Sequence, residues 1–121
     1  MMNVFFIFRG HVVTPALSGT ILPGITRDRV MTLLRDMGYR VMEERISIDD
    51  VFRGYERGEL LECFGTGTAA TVSHVRRIRY KDRTLELPPV EERKVGPVVR
   101  EKLLAIMTGK ESDPHGWTEA L

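Results

Sequence analysis

Hydrophobic positions along this chain fall into short blocks whose spacing alternates between strand and helix periods. Val4-Phe5-Phe6-Ile7-Phe8 is an unbroken apolar run of aromatic and β-branched residues, which reads as a buried strand. Arg9-Gly10-His11 reads as a turn, and His11 to Thr14 as a short return strand ending at Pro15. Pro15 to Thr20 is loop by its proline, glycine and serine content. Val30, Leu33, Leu34 and Met37 then recur at i, i+3, i+4 and i+7. That is an amphipathic helix, approached through Ile21-Leu22-Pro23-Gly24 and stopped by Gly38.

The second half continues the alternation. Tyr39 to Ile46 reads as a strand, with imperfect alternation around Val41-Met42. Ser47-Ile48-Asp49-Asp50 has the form of a capping box and predicts a helix through about Arg57, ended by Gly58. Leu60 to Phe64 is a strand running into Gly65-Thr66-Gly67-Thr68, and Ala70 to Tyr80 is another. A turn at Asp82 leads to Thr84-Leu85-Glu86-Leu87, closed by Pro88-Pro89. Pro97 suits a first helical position, with Val99, Leu103, Ile106 and Met107 as the apolar stripe and Gly109 as the stop. The tail from Glu111 to Leu121 carries the only tryptophan, Trp117, and is expected to pack against the body. Mixed strands and helices joined by short turns predict an α+β (irregular α/β) fold, mixed sheets with flanking helices.

Composition narrows the functions. The 121 residues, 42% hydrophobic and 29% charged, suit one ordinary folded unit. The apolar run near the start is far too short to span a membrane and lacks the flanks of a secretory signal, so the cytoplasm is the expected compartment. Lys plus Arg is 18 against 17 for Asp plus Glu, so no nucleic-acid role is expected. Arg76-Arg77-Ile78-Arg79, with Lys81 and Arg83, alternates like the solvated face of a half-buried sheet. A single Cys63 excludes an internal disulfide, and His11, His74 and His115 have no ligand spacing, so no metal is expected.

Two segments can hold an anion. Pro23-Gly24-Ile25-Thr26 stands at a helix start, where backbone N–H groups lack partners and the dipole favours negative charge. Thr26 adds a hydroxyl, although it also reads as a plain N-cap. Gly65-Thr66-Gly67-Thr68-Ala69-Ala70 follows a strand, and its glycines free N–H groups to face outward; a bulged turn between strands is the alternative. Ser73 and His74 are adjacent in a strand and point to opposite faces, so they cannot pair as nucleophile and base. Cys63 reads as a buried small hydrophobe. Lys81, Lys94, Lys102 and Lys110 lie in no apolar stretch that would depress a pKa.

Taken together, these segments resemble the branched-chain amino acid aminotransferases, fold-type IV pyridoxal-phosphate enzymes. The resemblance rests on Met2-Asn3-Val4-Phe5-Phe6, on Thr14-Pro15 with Leu17 to Arg27, on Phe64 to Ala70, and on Trp117-Thr118. It covers nearly the whole chain but only about the C-terminal third of a complete enzyme, so residues 1–121 are expected to be the C-terminal segment of the large cofactor-binding domain. It implies that Gly24, Ile25, Thr26 and Thr68 contact the phosphate of pyridoxal 5′-phosphate, and that Thr68 and Ala69 face the substrate carboxylate. It also places the Schiff-base lysine, the partner of the pyridine nitrogen and the phosphate-binding arginine upstream, so no catalytic residue is assigned here and the chain alone is expected to be inactive. Ala70 and Ser73 stand where some members carry a Cys-x-x-Cys pair, and His74 where proline is common. The implied partners are an amino acid and a 2-keto acid, with self-association or association with an N-terminal part. D-amino acid aminotransferases and aminodeoxychorismate lyases share the phosphate loop and remain alternatives, as does a non-catalytic module completing a second chain.

Overall fold

A computed structural model describes residues 3–15, 25–66 and 72–107. β1 (Asn3–Phe8) and β2 (His11–Pro15) form a tight antiparallel hairpin that sets Phe6 opposite Val13 and Phe8 opposite His11. The chain then crosses through α1 (Ile25–Asp36) and returns as β3 (Val41–Glu44), parallel to β2. After α2 (Ile48–Glu56), β4 (Leu60–Thr66) pairs antiparallel with β1, and β5 (Val72–His74) pairs antiparallel with β4. The resulting sheet has the order β3-β2-β1-β4-β5. β6 (Arg77–Tyr80) and β7 (Arg83–Glu86) make a separate hairpin, followed by a 3₁₀ turn at Val90–Glu92 and α3 (Gly96–Met107).

Local sequence sets the helix ends. Ser47 caps α2 by accepting from the Asp50 N–H, while the Asp50 carboxylate accepts from the Ser47 N–H, so both halves of the expected box are present. Gly38 and Gly58 take φ of +93° and +72°, a region open to glycine without a Cβ penalty. At α1, the Gly38 and Tyr39 N–H groups return to the Arg35 and Leu34 carbonyls; at α2, those of Gly58 and Glu59 return to Tyr55 and Gly54. Both helices therefore end in the same six-residue reversal.

Alternate residues of β1 build two cores, one on each face of the sheet. Phe5 and Ile7, with Val12, Phe64 and Val72, meet Val30, Leu33 and Leu34 of α1 and Val99, Leu103 and Ile106 of α3. Phe6 and Phe8, with Val13, Leu60 and Cys63, meet Val51 and Phe52 of α2, Leu85 of β7 and Leu87 just after it. Burial on both faces is why the β1 sequence shows no polar alternation.

Two strand expectations need correction. The stretch from Ala70 to Tyr80 is not one strand, since it breaks after β5. The Val75 N–H still donates to Cys63 of β4, whereas the Arg76 carbonyl accepts from Leu87, so the backbone changes sheets between these two residues. The strand expected over Tyr39 to Ile46 shortens to β3, because the Tyr39 N–H is taken by the C-terminal reversal of α1. The basic residues of the hairpin behave as expected: Arg77 is exposed and pairs with Glu86 across the strands, and Arg83 pairs with Asp49 of α2. The expected packing of the tail around Trp117 lies outside the described residues.

Candidate anion-binding site

Strand register, with the Arg27 contact to Pro15, brings the described residues of both candidate segments to one end of the sheet. Asn3 opens β1 opposite Thr66, the last residue of β4, and Thr66 in turn lies opposite Val72 of β5. Because β2 runs antiparallel to β1, Pro15 closes β2 at this same end, opposite Glu44 of the parallel β3. The connection leading into α1 therefore leaves from the end at which β4 passes to β5. Of the residues assigned to anions, Ile25 and Thr26 form the first turn of α1, while Gly24, Thr68 and Ala69 lie outside the described residues. Since α1 begins at Ile25, Thr26 sits inside the helix and not at the capping position. Its N–H and that of Ile25 belong to the group that no intrahelical carbonyl can satisfy.

Polar burial is concentrated here. Thr14, Thr26, Arg27 and Thr66 are all buried. The Thr14 hydroxyl donates to the Val4 carbonyl at 2.8 Å, whereas the Thr66 hydroxyl has no partner. The Arg27 guanidinium is only 2% exposed; it donates to Glu43 Oε2 at 3.1 Å, and its Nε has no partner. Unsatisfied buried polar atoms are uncommon and costly, on the order of 1–3 kcal/mol each. A sheet end with two of them, beside a helix N-terminus, is suited to receive an anion rather than an apolar guest.

Sequence reasoning passed over Arg27 and Thr66 as individual residues. A signal exists for Arg27, which lies on the same helical face as Val30 and Leu34 and so is carried into the core. Burial of Thr66 depends on β1 and β5, which the local pattern does not reveal.

A second polar cluster lies where α3 begins, on the same face of the sheet. Buried Glu62 of β4 accepts the N–H groups of Lys94, Val95 and Gly96 at 3.1, 2.8 and 2.7 Å, so a carboxylate already occupies this helix start. Arg93 donates to the Pro88, Cys63 and Val75 carbonyls, holding the sheet change in place. Burial, then Arg93 and Arg100, holds the His74 imidazole below its ordinary pKa, with Glu62 acting against them. Ser73 and His74 alternate across β5 as expected, and His74 reaches Gly96, where an added Cβ would stand 3.1 Å from Nδ1. Burial pushes the Cys63 thiol up to about 12 against the pull of Arg93, so it is no nucleophile at neutral pH.

Comparison with known proteins gives a consistent picture. Residues 1–78 match the family described as amino-transferase class IV. A probable branched-chain-amino-acid aminotransferase of Staphylococcus epidermidis is 47% identical over 116 residues, 96% of this chain and 32% of that protein. Branched-chain-amino-acid transaminase 1 of Bacillus subtilis is 44% identical over 97% of this chain and 33% of its own length. The crystal structure of the branched-chain aminotransferase from the thermophilic archaeon Thermoproteus uzoniensis with norvaline superposes with a TM-score of 0.68 at 30% identity, covering 92% of this chain and 33% of that one. The chain thus spans about a third of the length of the curated relatives it matches.

Proposed function

The chain belongs to the amino-transferase class IV family, and we propose that it is the C-terminal part of the large pyridoxal-phosphate-binding domain of a branched-chain amino acid aminotransferase. The observation that carries this reading is the shared sheet end, where the head of α1 and the last residue of β4 present buried, partly unsatisfied donors. In this reading Gly24 lets the backbone approach the cofactor phosphate, and the Ile25 and Thr26 N–H groups and the Thr26 hydroxyl donate to it. Thr68 adds a further donor, and the N–H groups of Thr68 and Ala69 face the substrate carboxylate. The donor set fits a phosphate: the helix dipole and a buried hydroxyl both favour negative charge in a small space.

When bound, pyridoxal phosphate supplies an electron sink for amino transfer between leucine, isoleucine or valine and 2-ketoglutarate. This chain's part is to bind and orient the anionic ends of cofactor and substrate. The resemblance matches none of the described lysines to the covalent step. Lys81 sits in the β6–β7 turn, the Lys94 N–H donates to Glu62, and Lys102 lies on α3; Lys110 lies outside the described residues. In this reading the covalent step falls to the lysine of the enzyme's N-terminal part, and residues 1–121 taken alone carry out no transfer.

Mixing this chain with the complementary N-terminal polypeptide and assaying valine-to-2-ketoglutarate amino transfer tests the reading. Activity should appear only in the mixture. Transfer by this chain alone, lost on mutating one of its own lysines, would overturn the claim of inactivity; persistent inactivity of a folded mixture would remove the partner-module reading.

A further inference from the structure

Arg27 is the third residue of α1, where the positive end of the helix dipole disfavours a cation. It is nonetheless buried to 2% exposure. Its contacts join three parts of the crossover. Nη2 reaches Glu43 Oε2 of β3 at 3.1 Å and, more distantly, the Pro15 carbonyl at the end of β2 at 3.4 Å. Nη1 lies 3.6 Å from the Asp28 carboxylate, and Nε is unpartnered. One planar group thus ties the strand that enters the crossover, the strand that leaves it, and the helix between them.

Its two carboxylate partners are far more exposed than it is. Glu43 is 44% exposed and Asp28 67% exposed, so water screens both carboxylates while the guanidinium stays in a low-dielectric setting. One guanidinium faces two carboxylates, so the favourable potential for an anion at the head of α1 comes from the N–H groups of the helix itself. The guanidinium fork fixes the direction in which the first N–H groups of α1 point, because rotation of the helix would break the contacts to β2 and β3. Lysine would retain the charge without the two-pronged reach.

We propose that Arg27 is the positioning residue of the phosphate site at the head of α1, holding the Ile25 and Thr26 donors in line. The inference rests on the cofactor reading above. It says nothing about a contact between Arg27 and the phosphate itself.

The test titrates the full chain with pyridoxamine 5′-phosphate and, separately, with pyridoxamine, which lacks the phosphate; neither has an aldehyde to react with surface lysines. The wild-type chain should prefer the phosphorylated ligand. Arg27→Met should reduce that preference about tenfold, equivalent to about 1.4 kcal/mol, and Arg27→Lys should restore part of it. Glu43→Gln leaves the cation, weakens its anchor on β3 and removes a negative charge; lost alignment lowers the preference severalfold where charge alone would raise it, so a fall decides the matter if Arg27→Met fails to fold. A folded Arg27→Met, or failing that a folded Glu43→Gln, that keeps the full preference overturns the proposal. So does a variant that weakens both ligands equally, which marks a structural role only. A wild-type chain with no preference for the phosphate overturns the cofactor reading itself.

Discussion

His74 and Glu62 show how single residues couple the sheet to α3. The Glu62 carboxylate satisfies three N–H groups at the start of α3, and His74 packs over the same turn. The lowered pKa of His74 fixes a sign for pH dependence. An imidazole held below its ordinary value of 6.5 binds fewer protons in the folded chain than in the unfolded one. Stability therefore rises with pH across that window and falls as pH drops from 6.5 toward the lower, folded value. Urea midpoints measured between about pH 7.5 and about pH 5 should decline for the wild type and decline less for His74→Gln; equal slopes would remove His74 as the cause. Nothing in the sequence around His74 announces this, because both the burial and the two arginines come from distant segments. Glu62 is partly legible, since it falls two residues before Phe64 on a buried strand face, where a charge needs a partner.

Elements were legible wherever local chemistry settles them. The capping box opens α2 at Ser47, and the two glycines end both helices where the pattern puts them. The break between β5 and β6 was not legible. Each half alternates acceptably, and only Cys63, Leu87 and Arg93, brought in by the fold, decide where the backbone changes partner. Packing between elements also overrides propensity. Gly54 lies inside α2, and an added Cβ would come within 2.6 Å of the Phe8 ring of β1. Alanine gains up to about 1 kcal/mol over glycine in a helix interior. Overpacking a filled contact costs about 1–3 kcal/mol. The second effect wins, so Gly54→Ala should destabilise the chain by about 1 kcal/mol, seen as a lower urea midpoint at unchanged slope. A raised midpoint would mean that the Phe8 ring moves aside freely.

At the scale of the whole molecule, the fold class follows from alternation and turn residues, whereas strand order does not. The sequence places β1 first, and tertiary pairing places it in the middle. Its amides are bonded to neighbours on both sides and its faces lie in both cores. Amide hydrogen exchange should therefore be slowest in β1 and in the adjoining β4, and faster in the β6–β7 hairpin, whose outer residues are exposed. Hairpin amides protected as well as those of β1 would contradict this ranking. The central position of the first strand also imposes an order of assembly. The β1–β2 hairpin closes over a few residues, but the other edge of β1 waits for β4, whose Thr66 lies opposite Asn3. Until residues 60–66 arrive, the apolar run from Val4 to Phe8 has one open edge, and α1 and α2 alone cover its faces, since β7 and α3 come later still. Fast local closure followed by a slow distant pairing leaves an interval in which a second chain competes for that edge.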